Sequence, residues 1–320
     1  MGTARGMENR LVPQAGFGLM LIKVGALKNV SLLTRLRTML DLPLAILHSR
    51  KIIRAFAPDV VAGVGGYASG PAMAAAILAG IPTLAFEPNY VPGFANRMVG
   101  RRVSAAAVHF PETAKYFRNA SVSGVPVRFE FCDIAPRPPG ARPTLLIFGG
   151  SQGAHAINVA ITSAVAEIKS QIQDLHVIHQ TGERDYNETQ AAYTRLGIPA
   201  EVSAFIDNMP QAFARADLLI CRSGASTVAE ITAAGKPAIF IPFPRAADDH
   251  QRRNAEAVAA AGAAVMVPEA ELTPSRLAQT ITGLLADGER LRQMQAKARA
   301  LSHPAAAEQL AKMVAELAVE

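Results

Sequence analysis

Short apolar runs alternate with longer amphipathic stretches along the second half of the chain. Runs such as Thr144–Phe148, Leu218–Cys221 and Ala238–Ile241 lack polar alternation, which predicts strands covered on both faces. The stretches Ser226–Ala234 and His250–Ala261 follow two of these strands and predict helices. Strict alternation of strands and helices is typical of a parallel sheet with helices on both faces.

The first half of the chain has the same pattern with fewer units. Strands are predicted at Val60–Ala62, Thr83–Phe86 and Ala105–Val108. A long helix is predicted from about Ser31 to Phe56, with an interruption at Pro43 because proline lacks the N–H of a helix interior. The fold class is therefore α/β in both halves.

A proline-rich segment, Ala135–Pro143, separates the two halves and is typical of a linker. We expect an N-terminal domain over residues 1–134 and a C-terminal domain over residues 135–320, with the last helix returning to the N-terminal domain. A length of 320 residues also fits two domains.

The composition excludes several classes of protein. Half of the residues are hydrophobic and 18% are charged, so the chain is not disordered. Two distant cysteines exclude a disulfide framework and a cysteine-rich zinc module. The absence of Trp argues against an aromatic platform for nucleic acid, and we expect no nucleic-acid partner. A net charge of +6 permits attraction to phosphates or to an anionic membrane.

A glycine-rich loop, Gly149–Ala154, lies between a predicted strand and a predicted helix. Such a loop lets backbone N–H groups and the positive end of a helix approach an anion, although a plain tight turn has the same composition. The loop lacks the lysine of a P-loop and the spacing of a dinucleotide fingerprint.

The loops after two further strands carry polar residues. In Cys221–Glu230, a turn at Gly224 leads into a helix, and Glu230 either accepts hydrogen bonds from a ribose or merely complements the helix dipole. The segment Ile241–Asn254 is the third polar loop of this kind. Because ligands of open α/β sheets bind at the carboxyl ends of strands, three such loops together indicate a site.

The first half has comparable loops at Gly63–Pro71 and at Glu87-Pro88-Asn89. A carboxylate directly after a strand, as at Glu87, is either a site residue or a cap for the next helix.

Six segments together resemble, in order and spacing, the motifs of the MurG family, the GT-B glycosyltransferases that transfer N-acetylglucosamine (GlcNAc) from UDP-GlcNAc to lipid I. The resemblance covers essentially the whole chain. The segments are Gly63–Pro71, Glu87–Asn89, Gly124–Arg128, Gly149–Ala154, Phe205–Met209 and Cys221–Glu230.

The resemblance implies a GT-B architecture of two Rossmann-like, doubly wound domains facing a cleft, with UDP-GlcNAc on the C-terminal one. By that match, the backbone of Ile206 contacts the uracil and Glu230 holds the ribose. The other donor-binding residues implied are Asn89, Arg128 and Gln251, together with a diphosphate cradle of Ser151, Gln152, Gly153, Ala225, Ser226 and Thr227.

The resemblance also implies the acceptor, the partners and the location. Lipid I, which is undecaprenyl-diphosphate-MurNAc-pentapeptide, would contact the loops around Tyr67, Glu87 and Asn96. Inverting transfer to the MurNAc C4 hydroxyl would give lipid II in peptidoglycan biosynthesis, a step of cell-wall biogenesis, cell shape and cell division. We expect no cofactor and no metal, a peripheral place at the cytoplasmic side of the inner membrane, and contacts with other cell-wall synthesis proteins.

One stretch between Leu32 and Arg54 interleaves leucines with basic residues. This pattern fits a surface that touches anionic lipid, and it fits equally an ordinary helix with leucines in the core and arginines in water.

The chain departs from the family pattern at its start, where the family has a strand and a glycine-rich loop carrying the histidine favoured as catalytic base. No catalytic residue is therefore assigned. We expect either a native start upstream of Met1 or a truncated, inactive chain. Two alternatives stay open: another UDP-sugar enzyme of the GT-B class, such as a glycolipid synthase or UDP-GlcNAc 2-epimerase, and a UDP-sugar-binding protein without catalysis.

Overall fold

The computed structural model describes residues 1–4, 8–22, 32–66, 68–138, 140–150 and 152–319, and for residues 32–40 the backbone alone. The chain divides into two compact units. The first unit comprises Met1–Val125 and Ala305–Glu320, and the second unit comprises Pro126–Pro304.

The first unit contains a four-stranded parallel sheet in the order β1-β2-β3-β4. Its strands are β1 (Val61–Gly63), β2 (Thr83–Glu87), β3 (Ala105–Val108) and β4 (Ala120–Val122). The helices between and before them are α1 (Glu8–Gln14), α2 (Leu32–Phe56), α3 (Ser69–Leu78) and α4 (Phe94–Val99), with a 3-10 helix at Pro111–Tyr116.

The helix α2 is continuous through Pro43, so the predicted interruption is wrong. Ile46 and Ile53 pack with Ala75 and Ala76 of α3 in one apolar cluster. This packing offsets the hydrogen bond that a proline removes from a helix interior.

The second unit contains a six-stranded parallel sheet in the order β10-β9-β8-β5-β6-β7. Its strands are β5 (Thr144–Phe148), β6 (His176–Gln180), β7 (Ala200–Ser203), β8 (Leu218–Cys221), β9 (Ala238–Phe240) and β10 (Ala264–Met266). Its helices are α5 (Phe129–Cys132), α6 (His155–Gln171), α7 (Tyr186–Arg195), α8 (Met209–Arg215), α9 (Ala225–Ala234), α10 (His250–Ala260), α11 (Pro274–Ala286) and α12 (Gly288–Ala300). Both sheets are Rossmann-like, as the sequence predicted.

Apolar residues of β5 explain why the second unit folds around this strand. Leu145 and Ile147 are fully buried and belong to the main core, in which Ile157 and Ile161 of α6 also lie. A strand covered on both faces needs no polar alternation, and this one has none.

The structure divides after Val125, earlier than the predicted boundary between residues 134 and 135. The difference arises because α5 packs against α8 and α9 of the second unit. Phe131 of α5 is completely buried, with its ring centroid 5.0 Å from that of Phe213.

The last helix, α13 (Ala306–Val319), belongs to the first unit. Its Leu317 packs with Leu84 of β2 and Ala107 of β3. Within the described ranges, no helix is long and apolar enough to cross a membrane.

Candidate functional site

The strand order of the second sheet places two loops side by side. The chain leaves β5 toward β6 on one side, whereas β8 pairs with β5 on the other side. The loops that follow β5 and β8 therefore meet at the point where the strand order reverses, which is where open α/β sheets bind ligands.

The loop after β5 has a compact conformation that depends on glycine. Gly153 has a φ of +72°, and a Cβ on it would lie 2.0 Å from the carbonyl oxygen of Thr181. A Cβ on Gly149 would lie 2.3 Å from the backbone nitrogen of Ala154. The backbone of the loop therefore turns directly against the start of α6. The N–H groups of the loop lie close to an adjoining cavity.

A cavity of about 600 Å³ opens between these loops. Its walls come from the loops after β5, β8 and β9 and from the starts of α6, α9 and α10. The lining residues are Phe148, Gly149, Gly150, Gly153, Ala154, His155, Ala156, Arg222, Gly224, Thr227, Phe243, Gln251 and Glu269.

The helices α6 and α9 both begin at this cavity without a side-chain cap at their first turn. Each helix N-terminus has backbone N–H groups without an intrahelical acceptor and carries partial positive charge. Two such ends beside one cavity suit an anion such as a diphosphate.

Glu230 lies on α9 one turn beyond Thr227, so the two side chains share one side of the helix. No described residue donates a hydrogen bond to its carboxylate. Burial raises the pKa of Glu230, and the positive charge of Arg128 opposes this increase. Arg128 itself is exposed, with its guanidinium 5.1 Å from the ring centroid of Phe131. A half-buried carboxylate without protein donors can accept hydrogen bonds from a diol.

Gln180, at the end of β6, joins the cavity loop to the loop that carries Ile206. Its Nε2 donates to the Gly150 carbonyl at 2.9 Å, and its Oε1 accepts from the Ile206 N–H at 2.9 Å. The side chain of Gln180 is buried, so the bridge is shielded from water. Because the Ile206 N–H donates to Gln180, the Ile206 carbonyl is the backbone group left to contact a ligand base.

Gln251 is held at the start of α10 by a backbone contact. Its Oε1 accepts from the Phe243 N–H at 3.0 Å, and its carbonyl accepts from the Ser223 hydroxyl at 2.7 Å. The residues before it, Asp248 and Asp249, both have left-handed φ values of 53° and 56°. The amide is therefore positioned on the cavity wall by its neighbours.

In the first unit, two of the predicted lipid I-binding residues, Glu87 and Asn96, belong to one hydrogen-bond cluster. One oxygen of the buried Glu87 accepts from the Asn89 N–H at 3.0 Å and from the Asn89 amide at 3.2 Å. The other accepts from the Gly93 N–H at 2.9 Å and from the Asn96 amide at 3.0 Å. Gly93 precedes α4, so Glu87 organises the start of this helix, as one of the two sequence alternatives expected.

The predicted donor residues fall into three groups. Gly153, Thr227 and Gln251 line the cavity; Gln152, Ala225 and Ser226 flank it in sequence; and Ile206, Arg128 and Glu230 lie elsewhere in the second unit. Asn89 belongs to the first unit. Ser151, Tyr67 and the side chains of the leucine- and arginine-rich stretch from 32 to 40 lie outside the described residues.

Sequence reasoning missed four residues that line or shape the cavity: His155, Gln180, Phe243 and Glu269. His155 directly follows the predicted glycine loop. Its position after this turn is the sequence signal by which it could have been identified. The others act through contacts between distant segments. For the described residues, no group of three or more His, Cys, Asp or Glu side chains could hold a metal ion.

Two Rossmann-like sheets, a cavity beside two helix N-termini and a carboxylate without a described donor are features typical of the nucleotide-binding class of α/β proteins. The glycosyltransferase family 28 C-terminal domain matches residues 144–310, and the N-terminal domain of the same family matches residues 1–108.

A relative from Myxococcus xanthus (strain DK1622) is 45% identical over 324 residues, covering 100% of this chain and 85% of the relative. A relative from Syntrophus aciditrophicus (strain SB) is 46% identical, covering 95% of this chain and 85% of the relative. Both are named UDP-N-acetylglucosamine--N-acetylmuramyl-(pentapeptide) pyrophosphoryl-undecaprenol N-acetylglucosamine transferase.

The crystal structure of Acinetobacter baumannii MurG is similar with a TM-score of 0.81 and 32% identity, covering 98% of this chain and 89% of that one. A UDP-GlcNAc 2-epimerase from Neisseria meningitidis, solved with UDP-GlcNAc, has a TM-score of 0.64 at 13% identity, covering 98% of this chain and 90% of that one, and shares the fold alone. The chain belongs to glycosyltransferase family 28 and, within it, to the MurG family. The resemblance stated from the sequence motifs is thereby confirmed.

Proposed function

We propose that this protein transfers GlcNAc from UDP-GlcNAc to the C4 hydroxyl of MurNAc in lipid I, which yields lipid II. The observation that carries the proposal is that Gly153, Thr227 and Gln251, from three separate motifs, line one cavity beside two helix N-termini. The names of the relatives describe this reaction for those proteins and support its assignment here.

The donor would lie along the loops of the second unit. Its diphosphate would occupy the cavity at the starts of α6 and α9, and its ribose would donate hydrogen bonds to Glu230. The uracil would donate its N–H to the Ile206 carbonyl. Arg128 and Gln251 would complete the set, with Gln251 near the sugar.

The cavity can assist the departure of UDP. The acceptor hydroxyl attacks C1 of GlcNAc, the bond from C1 to the β-phosphate oxygen breaks, and the configuration at C1 inverts. Negative charge then grows on the diphosphate, where backbone N–H groups fixed by the fold stabilise it without reorganising. The hydroxyl proton passes to a general base.

The acceptor would bind to the first unit around Tyr67, Glu87 and Asn96. Glu87 would act there by shaping the loop that ends at α4, since its carboxylate is already surrounded by protein donors. We also propose a peripheral place at the cytoplasmic face of the inner membrane, with neighbours from cell-wall synthesis, because the acceptor carries a lipid. Co-sedimentation with vesicles that contain lipid I would test this location.

A transfer assay tests the activity. The protein is incubated with UDP-GlcNAc labelled in the sugar and with a lipid I analogue, and the labelled lipid product is measured. We expect product with this pair and none when the analogue lacks the C4 hydroxyl. Transfer of sugar from UDP-glucose but not from UDP-GlcNAc would contradict the proposal. Epimerisation of the UDP-sugar in the absence of acceptor would contradict it as well. Binding of UDP-GlcNAc without turnover would instead support a binding protein.

A further inference from the structure

His155 is the first residue of α6 and lines the donor cavity, and together with Asp185 it also lines an adjacent cavity. Its side chain is 54% exposed, and its Nδ1 lies 3.1 Å from both carboxylate oxygens of Asp185. The described residues give its Nε2 no partner. The ring therefore has one nitrogen held by a carboxylate and one nitrogen available to a ligand.

Asp185 is held in turn by a buried polar network behind the cavity. The Asn158 amide donates to Asp185 at 2.8 Å and to the Thr181 carbonyl at 2.9 Å. Both of these partners are acceptors, so the amide nitrogen of Asn158 faces them and its oxygen faces His179.

The remaining contacts show that each hydrogen bond of the network is donated in the same sense, toward Asp185. The Asn158 oxygen lies 3.0 Å from Nε2 of His179, and Nδ1 of His179 lies 3.0 Å from the Tyr193 hydroxyl. Burial lowers the pKa of His179 to about 3, so this ring is neutral and protonated on Nε2. Tyr193 then donates to His179, which donates to Asn158, which donates to Asp185.

Asp185 consequently receives a hydrogen bond from Asn158 and acts as an acceptor toward His155 as well. The Nδ1 atom of His155 therefore carries a hydrogen in either protonation state, and the free Nε2 decides the charge of the ring. The network fixes the ring orientation in the way that second-shell groups orient a ligating histidine.

The charged groups around His155 oppose one another. Asp185 places negative charge beside Nδ1 of the ring, and Glu188 lines an adjacent cavity together with Arg195. Arg184 lies 3.9 Å from Asp185 and weakens the carboxylate's field. Across the donor cavity, Arg222 and Glu269 pair with each other. The positive end of α6 disfavours a cation at its first residue. An anion in the cavity would reverse that penalty.

We propose that His155 is a further donor-binding residue, which takes up a proton from solvent when the diphosphate of UDP-GlcNAc enters the cavity. Asp185 is its positioning residue and stabilises the resulting imidazolium. This inference rests on the proposed function, because it assigns the phosphate end of the same donor. A charged donor to a phosphate oxygen is stronger than a neutral one, so protonation tightens binding.

Calorimetry with UDP-GlcNAc provides the test, because a doubly esterified diphosphate does not itself titrate near neutral pH. The wild type is titrated between pH 6 and pH 8, each time in two buffers of different ionisation enthalpy. We expect net proton uptake on binding and an affinity about tenfold higher at pH 6 than at pH 8.

Two variants separate charge from structure. His155→Gln should bind about tenfold more weakly at pH 6, with no proton uptake and a flat pH profile. His155→Arg keeps a permanent cation, so it should restore the affinity at both pH values while still taking up no proton. Asp185→Asn should weaken binding at pH 6, because the ring loses the carboxylate that orients it.

His176→Gln is the matched control. His176 also pairs with a carboxylate, at 3.0 Å from Glu201, but it does not line the cavity. Its affinity and proton uptake should equal those of the wild type. Wild-type binding without proton uptake, or His155→Gln with the wild-type profile, would overturn this inference and leave the proposed function standing. No binding of UDP-GlcNAc by the wild type would overturn both.

Discussion

Two carboxylates, Glu87 at the end of β2 in the first unit and Glu230 on α9 in the second, have opposite surroundings. Glu87 in the first unit is 2% exposed and accepts four hydrogen bonds from its own loop. Glu230 in the second unit has none from the described residues. Donors around Glu87 stabilise the loop itself, whereas Glu230 leaves its hydrogen-bonding capacity to a ligand. The difference separates residues that shape a site from residues that bind.

Replacing Glu87 should produce the largest effect, on stability. Glu87→Ala removes the acceptor of four hydrogen bonds, among them those from the buried amide of Asn96 and from the backbone N–H of Gly93. We expect the free energy of unfolding, measured in urea, to fall by about 3 kcal/mol or more. The affinity for UDP should change less than the stability, because the donor cavity lies in the second unit and Glu87 contacts the proposed donor residues only at Asn89 among the described residues.

Glu112→Ala, at an exposed carboxylate of the first unit, is the control and should leave stability near that of the wild type. If Glu87→Ala keeps the wild-type stability but no longer transfers GlcNAc to the acceptor, the contrast between Glu87 and Glu230 does not hold. That outcome would place Glu87 among the groups that contact lipid I.

Replacing Glu230 should affect binding and spare the fold. Glu230→Ala removes the proposed partner of the ribose, so we expect affinity for UDP-GlcNAc to fall about 10- to 100-fold by calorimetry. The free energy of unfolding should not fall, because the carboxylate makes no hydrogen bond with described residues. Glu289→Ala, at an exposed carboxylate of α12, should change neither quantity. Equal affinity of Glu230→Ala and the wild type would refute the donor assignment.

The network behind the donor cavity should make the second unit sensitive to acid. Burial lowers the pKa of His179 to about 3, below the usual 6.5, so below pH 6.5 the unfolded chain binds a proton that the folded one excludes. Stability is therefore lost as the pH falls through 6.5. Between pH 7.5 and pH 5 we expect a loss of about 2 kcal/mol from this group in urea titrations.

His179→Gln should flatten this acid-dependent loss while lowering stability at neutral pH, because two buried hydrogen bonds change. His176→Gln should retain the full loss. An unaltered acid dependence in His179→Gln would show that the penalty comes from another group.

The Gln180 bridge should have the smallest effect. Gln180→Ala removes the hydrogen bonds to Gly150 and Ile206, and we expect the affinity for UDP to fall about fivefold as the two loops lose their common support. Gln211→Ala, at an exposed position of α8, is the control. If Gln180→Ala weakens the binding of UDP but leaves the affinity for uridine unchanged, only the contacts with the phosphates are lost. That result would show that the bridge supports one loop only.

The sequence predicted the sheets well because the strands are uninterrupted apolar runs. The bounds of β5 and β8 agree with the prediction to the residue. Helix α6 begins at His155, directly after the predicted glycine-rich loop. The short helices α1 and α5 were not predicted, since α1 contains Pro13 and α5 has only four residues.

The motif residues of the site were predictable, but the contacts that position them were not. Gly153, Thr227 and Gln251 carry local signals of turns and helix starts. The bond between His155 and Asp185 joins residues 30 positions apart, and that between Gln180 and Ile206 joins residues 26 apart. Only tertiary packing brings such pairs together, so a pattern along the chain does not report them.

The buried Gln180 also fixes the distance between the two loops that it joins. Because one amide spans from the phosphate-side loop to the base-side loop, the separation of these two ends is fixed by a single rigid group. In the proposed binding mode, the site therefore accepts ligands with one particular distance between the pyrimidine base and the diphosphate. Inhibitors that lengthen or shorten this link by one atom should lose contact at one end, whereas changes beyond the second phosphate leave the distance that Gln180 fixes unaltered.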